Sequence, residues 1–433
     1  MRIVQITPGV AGRFYCDNCL RDVALVRALR KQGHDVLMVP VYLPVFSDVG
    51  EQVENGPLFF GGINVYLQQK TVLFRKTPRW IDRVFDSSNL LKLVGRRATM
   101  TSASDLGQMT ISMLQAEHGR QVKELDRLLE WLQAQDSRPD VVFFSNVLLA
   151  GLAGRIKAAL GAPILCLLQD EDGFLDGLTQ PYSKQAWEIL TERTNDIDAF
   201  IAVSKYYADV MGQRLGLRMD RVHVVHTGIP LDGYQLPEKA LKVPTVGFLS
   251  RLCFNKGLDI LVEAFINLKK NDTLKDAKLR IAGGNTGGDK AFINQIRKRL
   301  KNCALIDDAE FLPRFDRDAK LEFLQTLSVL SVPEKQPVAY GLYVLEALAA
   351  GVPVVEPATG AFPELLEITG GGILCEPNNA AALAAALERL LLDPDHARQL
   401  GQQGRKTVFS KFNIDQTAEE TVRICKGILQ QPS

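Results

Sequence analysis

The sequence predicts an α/β protein with two parallel-sheet domains, on three observations. Short apolar runs alternate with helix-forming stretches along nearly the whole chain, the order from which parallel sheets covered on both faces are built. The 433 residues exceed one ordinary domain and suit two or three. A polar, proline-bounded segment near the middle, Leu236 to Pro244 (LPEKALKVP), reads as a linker on which two domains hinge. The first domain is thus expected at 1–236, the hinge at 237–244 and the second domain at 245–412.

Composition narrows the class. Hydrophobic residues make up 46% and charged residues 23%, ordinary for a soluble globular protein. Lys plus Arg number 51 against 50 Asp plus Glu, so bulk charge argues neither for nor against nucleic acid, and no nucleic-acid partner is expected. No apolar run approaches the roughly 20 residues of a membrane span. The opening MRIVQITPG reads as a strand and turn rather than a secretory leader. Seven scattered cysteines, an odd count, fit reduced thiols and a cytoplasmic setting. Repeats of solenoid period and low-complexity tracts are missing.

Taken in order, residues 2–7 (RIVQIT) form a buried strand and Pro8 to Gly12 a loop. A helix follows over 20–32, with Val23, Leu25, Val26 and Leu29 inward, and Gly33 stops it before the strand at 35–41. Cys16 and Cys19 make a CxxC at that helix start. Helix N-termini lower thiol pKa values, so redox chemistry is weighed, but no second pair stands at ligand spacing and no metal site is expected. From Phe74 to Arg97, basic residues are mixed with Phe74, Trp80, Phe85 and several Leu. The favoured reading is an amphipathic helix on its own domain, because Asp82 and Asp86 dilute the charge; a contact with an anionic membrane surface is the alternative. The spacing then predicts one long helix over 105–135, broken at Pro139. Strands at 141–144 and 163–168 flank a helix at 148–160. The acidic run Gln169-Asp170-Glu171-Asp172 sits where the second of these strands ends, the position at which parallel sheets place ligands. A strand at 199–203 leads to Ser204, a good N-cap.

The second half repeats the pattern. An apolar strand at 245–249 runs into Ser250-Arg251-Leu252-Cys253-Phe254-Asn255-Lys256-Gly257 and a helix at 258–268. Arg251 and Lys256 straddle a strand-to-helix turn, two fixed cations of the kind a departing pyrophosphate needs. A strand at 278–282 exits into Gly283-Gly284, and another at 310–312 exits into Pro313. The run 327–332 then leads into Pro333 to Pro357, PEKQPVAYGLYVLEALAAGVPVVEP: strand, glycine turn at Gly341, helix at 343–350, strand at 353–355. Backbone N–H groups at that helix start make an anion site, and Glu346, one turn in, is placed to accept hydrogen bonds from a ribose diol. A solvated helix glutamate is the plainer reading. A helix at 380–392 and a last one at 414–430 complete the chain.

The stretch Tyr340-Gly341-Leu342, Glu346-Ala347, Ala349, Gly351 and Pro353-Val354-Val355 resembles the nucleotide-sugar motif of family 4 glycosyltransferases, retaining enzymes of GT-B fold. Val338 occupies the position of the first motif Glu, which in the family contacts the donor sugar; Glu334 lies four residues earlier. Arg251-Leu252 and Lys256-Gly257 match the family's Gly-Arg-Leu-x-x-x-Lys-Gly except that Ser250 replaces Gly. Weaker matches are Gly12 in the first loop, Gly33-His34-x-Val36, Gln169-Asp170 in place of His-Asp, and His226 to Asp232 in place of an Asn-Gly-Val-Asp turn.

The resemblance implies two Rossmann-like domains facing across a cleft, with residues 413–433 forming a helix that crosses back to the first domain. It implies retaining transfer from a nucleoside diphosphate sugar to a carbohydrate, lipid or small-molecule acceptor, without metal or other cofactor. Arg251 and Lys256 would stabilise the leaving diphosphate. Gly12, Gly283, Pro313, Val338, Tyr340, Gly341, Leu342 and Glu346 would line the donor, the Pro313 loop holding the base. Gln169 and Asp170 would approach the sugar or acceptor from the first domain. A GT-B protein that binds nucleotide or glycan without transfer, and a sugar-nucleotide epimerase, are the rivals. A dehydrogenase is disfavoured because no GxGxxG opens the first βα turn.

Overall fold

The computed structural model describes residues 1–9, 17–42, 59–60, 103–135, 137–236, 243–312 and 316–430. Gly12, Cys16, Pro313, the side chain of Cys19, the basic stretch from Phe74 to Arg97 and residues 237–242 of the linker lie outside them.

Two six-stranded, all-parallel sheets organise the molecule. The first orders β2(Asp35–Pro40), β1(Arg2–Thr7), β3(Val141–Phe144), β4(Ile164–Leu168), β5(Ala199–Ala202) and β6(Val222–Val224) side by side. In the second, the order is β12(Gly372–Cys375), β11(Val354–Pro357), β10(Val329–Leu330), β7(Thr245–Leu249), β8(Lys278–Ala282) and β9(Ala309–Phe311). Strands β3, β4, β5 and β7 are buried along their whole length, which is why they read as apolar runs without alternation. In each sheet the chain reverses its direction of travel once, between β1 and β3 and between β7 and β10. Crevices open at the carboxyl ends of strands at such switch points, and ligands bind there. The expected fold class is what the structure shows.

The helices that matter for the crevices are α1(Asp17–Lys31), α2(Ala103–Leu114), α3(Val122–Gln133), α4(Ala153–Leu160), α5(Glu171–Asp176), α6(Tyr182–Arg193) and α7(Lys205–Leu215) in the first domain. The second contributes α8(Leu258–Leu268), α9(Lys290–Asn302), α10(Arg317–Leu324), α11(Leu342–Ala349), α12(Phe362–Thr369), α13(Ala380–Leu392) and α14(Pro394–Lys411). The closing helix α15(Ile414–Gln430) buries Ala418, Val422, Ile424 and Cys425 in the first domain's core. Lys31 of α1 pairs with Asp415 at 2.7 Å on the surface of that contact. Where the chain passes between domains, Ile229 N–H donates to Phe412 O at 2.9 Å and Ile414 N–H to Ile229 O at 3.1 Å, so the outgoing and returning segments are stitched together.

The structure splits one helix of the sequence reading and adds six that the reading lacks, α5, α6, α9, α10, α12 and α14. The single helix over 105–135 is two helices, α2 and α3, split by a 3₁₀ turn at Ala116–His118. Ser112 causes the break: its hydroxyl donates to Gln121 and accepts from Arg120 N–H at 2.7 Å, folding the chain back on itself. Helix α14 was not foreseen, although Asp393 accepting from His396 N–H and Pro394 in the first turn are ordinary start signals. Among the described residues no helix is long and apolar enough to cross a membrane.

Candidate active site

The second-domain crevice is drawn tight by two glycines. Gly257, after β7, has φ +71°, and a Cβ there would lie 1.8 Å from Pro333 O on the loop after β10. Gly283, after β8, has φ +138°, and a Cβ would lie 1.8 Å from Ser250 O. Only glycine permits both the conformation and the approach. The loops leaving β7, β8 and β10 therefore meet at one point, with Lys256 and Arg251 carried on the first of them.

The two cations part company. Lys256 Nζ binds Glu334 Oε1 at 2.5 Å, and Tyr343 Oη donates to the same oxygen at 3.3 Å. Glu334 is buried, so the carboxylate four residues before the vacant motif position does reach the site, as the partner of Lys256. Arg251 turns the other way. Its Nε and Nη2 each reach an Asp289 oxygen at 3.1 Å, and Nη2 also reaches Thr286 Oγ1 at 3.0 Å. Burial pushes the Asp289 carboxyl up, but Arg251 and the Thr286 groups outweigh it and hold it below the usual carboxylate range.

Helix α11 starts at Leu342 with no side-chain cap on its first N–H groups. All its side chains are buried, including Glu346, which pairs with Lys320 of α10. This is not the solvated helix glutamate of the plainer reading. Lys320, itself buried, is a site residue that no motif marks in the sequence; its partner lies 26 residues away. Val338 is a core residue of the second domain, its side chain buried among apolar neighbours, and a valine offers no hydrogen bond to a sugar.

From the first domain, Gln169 and Asp170 sit at the end of β4. Gln169 donates through Nε2 to Ser145 O, and its buried Oε1 has no protein partner among the described residues. Asp170 has φ +66°, strained for a residue with a Cβ, and its Oδ1 accepts from Ala339 N–H at 3.0 Å across the domain boundary. Burial pushes the Asp170 carboxyl up; the Ala339 N–H and Lys256 pull it down, and Asp172 pushes up again. The neighbouring Glu171 is buried and accepts from Val147 N–H at 3.1 Å, Gln169 N–H at 2.6 Å and Tyr207 Oη at 2.9 Å. Burial outweighs those donors and raises it to about 7.

The domains touch through the loop before α11. Ser204 Oγ accepts from Tyr207 N–H at 3.1 Å as the cap of α7 and donates to Ala339 O at 2.8 Å. Tyr340 Oη donates to Thr227 O. Glu364 of α12 accepts from Lys205 and Tyr206 N–H at 2.9 and 3.0 Å and meets His226 Nε2 at 2.7 Å.

Two cavities adjoin this contact. A small one is walled by Arg21, Gln169, Asp170, Lys256, Tyr340 and Leu342. A larger one, of about 530 Å³, lies between α1, the 228–234 segment, α10 and α11, and includes Glu346 and Lys320. Thus Gln169, Asp170, Lys256, Tyr340 and Leu342 come together, Glu346 joins on the far side of Leu342, and Arg251 is held at the rim by Asp289. A cation, an uncapped helix start and a buried carboxylate around one crevice can hold a phosphorylated, hydroxyl-bearing ligand.

Comparison with known proteins bears on the family and the fold. The family profile described as glycosyl transferases group 1 matches residues 236–407, and the one described as glycosyltransferase family 4 matches residues 109–232. A glycogen synthase of Mycobacterium tuberculosis is 26% identical over 333 residues, 75% of this chain and 76% of its own. Among solved structures, sucrose-phosphate synthase from Thermosynechococcus elongatus superposes with a TM-score of 0.71 at 18% identity, covering 99% of both chains. Anabaena HepE, solved in complex with UDP-glucose, superposes with a TM-score of 0.66 at 14% identity, covering 97% of this chain and 99% of its own. At those identities the likeness to the two structures is one of fold.

Proposed function

The chain belongs to the family 4 glycosyltransferases of GT-B fold, and on that premise we propose that it moves a sugar, with retention of configuration, from a nucleoside diphosphate sugar to a hydroxyl-bearing acceptor. The observation that carries the proposal is the convergence of Lys256, the uncapped start of α11 and buried Glu346 on the β7–β10 crevice. In this reading Glu346 holds the ribose hydroxyls, exchanging part of its bond with Lys320 for them. The uncapped N–H groups at the start of α11, that of Leu342 foremost, meet the diphosphate. Lys256 stabilises the charge that gathers on the leaving phosphate as the sugar becomes oxocarbenium-like. Charge so placed acts in a site shielded from water, where it is worth most. Arg251 is the second cation, its side chain 39% exposed and steered by Asp289. Asp170 and Gln169 stand on the sugar or acceptor side. No step calls for a metal.

The test is a thermal-shift panel of UDP, GDP and ADP sugars followed by a transfer assay with and without EDTA. HepE was solved with UDP-glucose, which puts UDP sugars first. One nucleotide sugar should raise the melting temperature, and transfer should survive EDTA. A chain that binds none of the donors overturns the proposal.

A further inference from the structure

Arg21 of α1 was not among the residues singled out from the sequence. It is 7% exposed, and a guanidinium that deep is costly unless its donors are used. Among the described residues, few of its five N–H groups find a partner. Nη2 meets Asp22 Oδ1 at 3.1 Å, while Nε is buried without a partner among the described residues. Asp22 is anchored in turn, accepting from Thr7 Oγ1 at 3.0 Å at the end of β1. The chain Thr7–Asp22–Arg21 fixes the guanidinium but leaves most of its hydrogen-bonding capacity open.

Its location says what that capacity is for. Arg21 and Leu342 are the two residues common to the walls of both cavities. The guanidinium therefore stands opposite the start of α11, between the Lys256 side of the crevice and the Glu346 side. Lys256 is already paired with Glu334, and Arg251 is engaged by Asp289. A diphosphate carries more charge than those two, so compensated, answer. The planar fork of an arginine matches phosphate oxygens in pairs.

We propose that Arg21 is a phosphate-binding residue: the first domain's cation, which grips the diphosphate of the donor across the cleft from Leu342. This rests on the donor reading above. It makes the diphosphate site a two-domain site, complete only when the domains meet as they do here.

The experiment compares binding of UDP, GDP and ADP with binding of the matching nucleosides, by calorimetry, in the wild-type chain and in Arg21→Gln and Arg21→Lys. The nucleoside serves as the control for folding, because Arg21→Gln strands Asp22. The expected result is a loss of about tenfold or more in affinity for the preferred diphosphate in Arg21→Gln. Arg21→Lys should recover part of that loss, and nucleoside affinity should stay within about twofold in both variants. Diphosphate affinity within about twofold of wild type in both variants overturns the proposal. So does a parallel loss for nucleoside and diphosphate, which marks a packing role. If the wild-type chain binds none of the three diphosphates, it is the donor reading that fails.

Discussion

At the scale of single residues, Glu346 and Lys320 are the most consequential pair, both buried and each the other's counter-charge. Removing one partner of a buried pair strands the other. Glu346→Ala should cost on the order of 3–5 kcal/mol in a denaturant titration. Adding Lys320→Met should restore much of the stability but none of the nucleotide-sugar binding, which separates the structural part of Glu346 from the ligand-binding part. The two motif cations should separate in the same way. Lys256→Met should lower transfer by about a hundredfold or more, given its place in the crevice wall. Arg251→Ala should lower turnover far more than it lowers the melting temperature, since its side chain is only partly buried; unchanged turnover would remove it from the mechanism. The sequence pointed to Glu346 and Lys256 because both sit at fixed offsets from glycine turns. It was silent on Lys320, Asp289 and Arg21, whose meaning lies in partners or surfaces far along the chain. No periodicity links Arg251 to a carboxylate 38 residues on.

At the scale of elements, most strands and helices were legible because their apolar runs are buried on both faces. Helix α8 occupies the span that its pattern predicts. The α2–α3 break was not legible, because the apolar spacing runs straight through a turn that a serine imposes by side-chain hydrogen bonds. The loop after β7 carries the sharpest prediction here. Gly257→Ala meets both a left-handed backbone and a carbonyl oxygen at 1.8 Å, which only backbone movement relieves. The cost should be about 3 kcal/mol or more by thermal or denaturant unfolding, with transfer lost as Lys256 shifts.

At the scale of the whole molecule, the domain contact has a pH dependence of definite sign. Burial pushes the Glu364 carboxyl up, but His226 and the Lys205 and Tyr206 N–H groups outweigh it, so the group sits below its ordinary 4.5. Its contribution is fully present above 4.5 and is lost as pH falls below 4.5 through the lowered value. Melting curves of wild type and Glu364→Gln should therefore differ at pH 6 and converge as pH falls below 4.5. A gap that stays constant down to pH 3 would show that Glu364 does not hold the domains together. That contact joins residues 159 and 138 positions apart, which explains why no local reading of the chain could foresee it.

The return of α15 to the first domain has one more consequence. That domain is completed by residues more than 370 positions from its first helix, so a polypeptide stopped after α14 would leave α1 without part of its cover. Conversely, two separate polypeptides, 1–236 and 243–433, still share a core through Ala418, Val422 and Cys425. Co-expressed, they should co-purify as a single particle with no peptide bond between them.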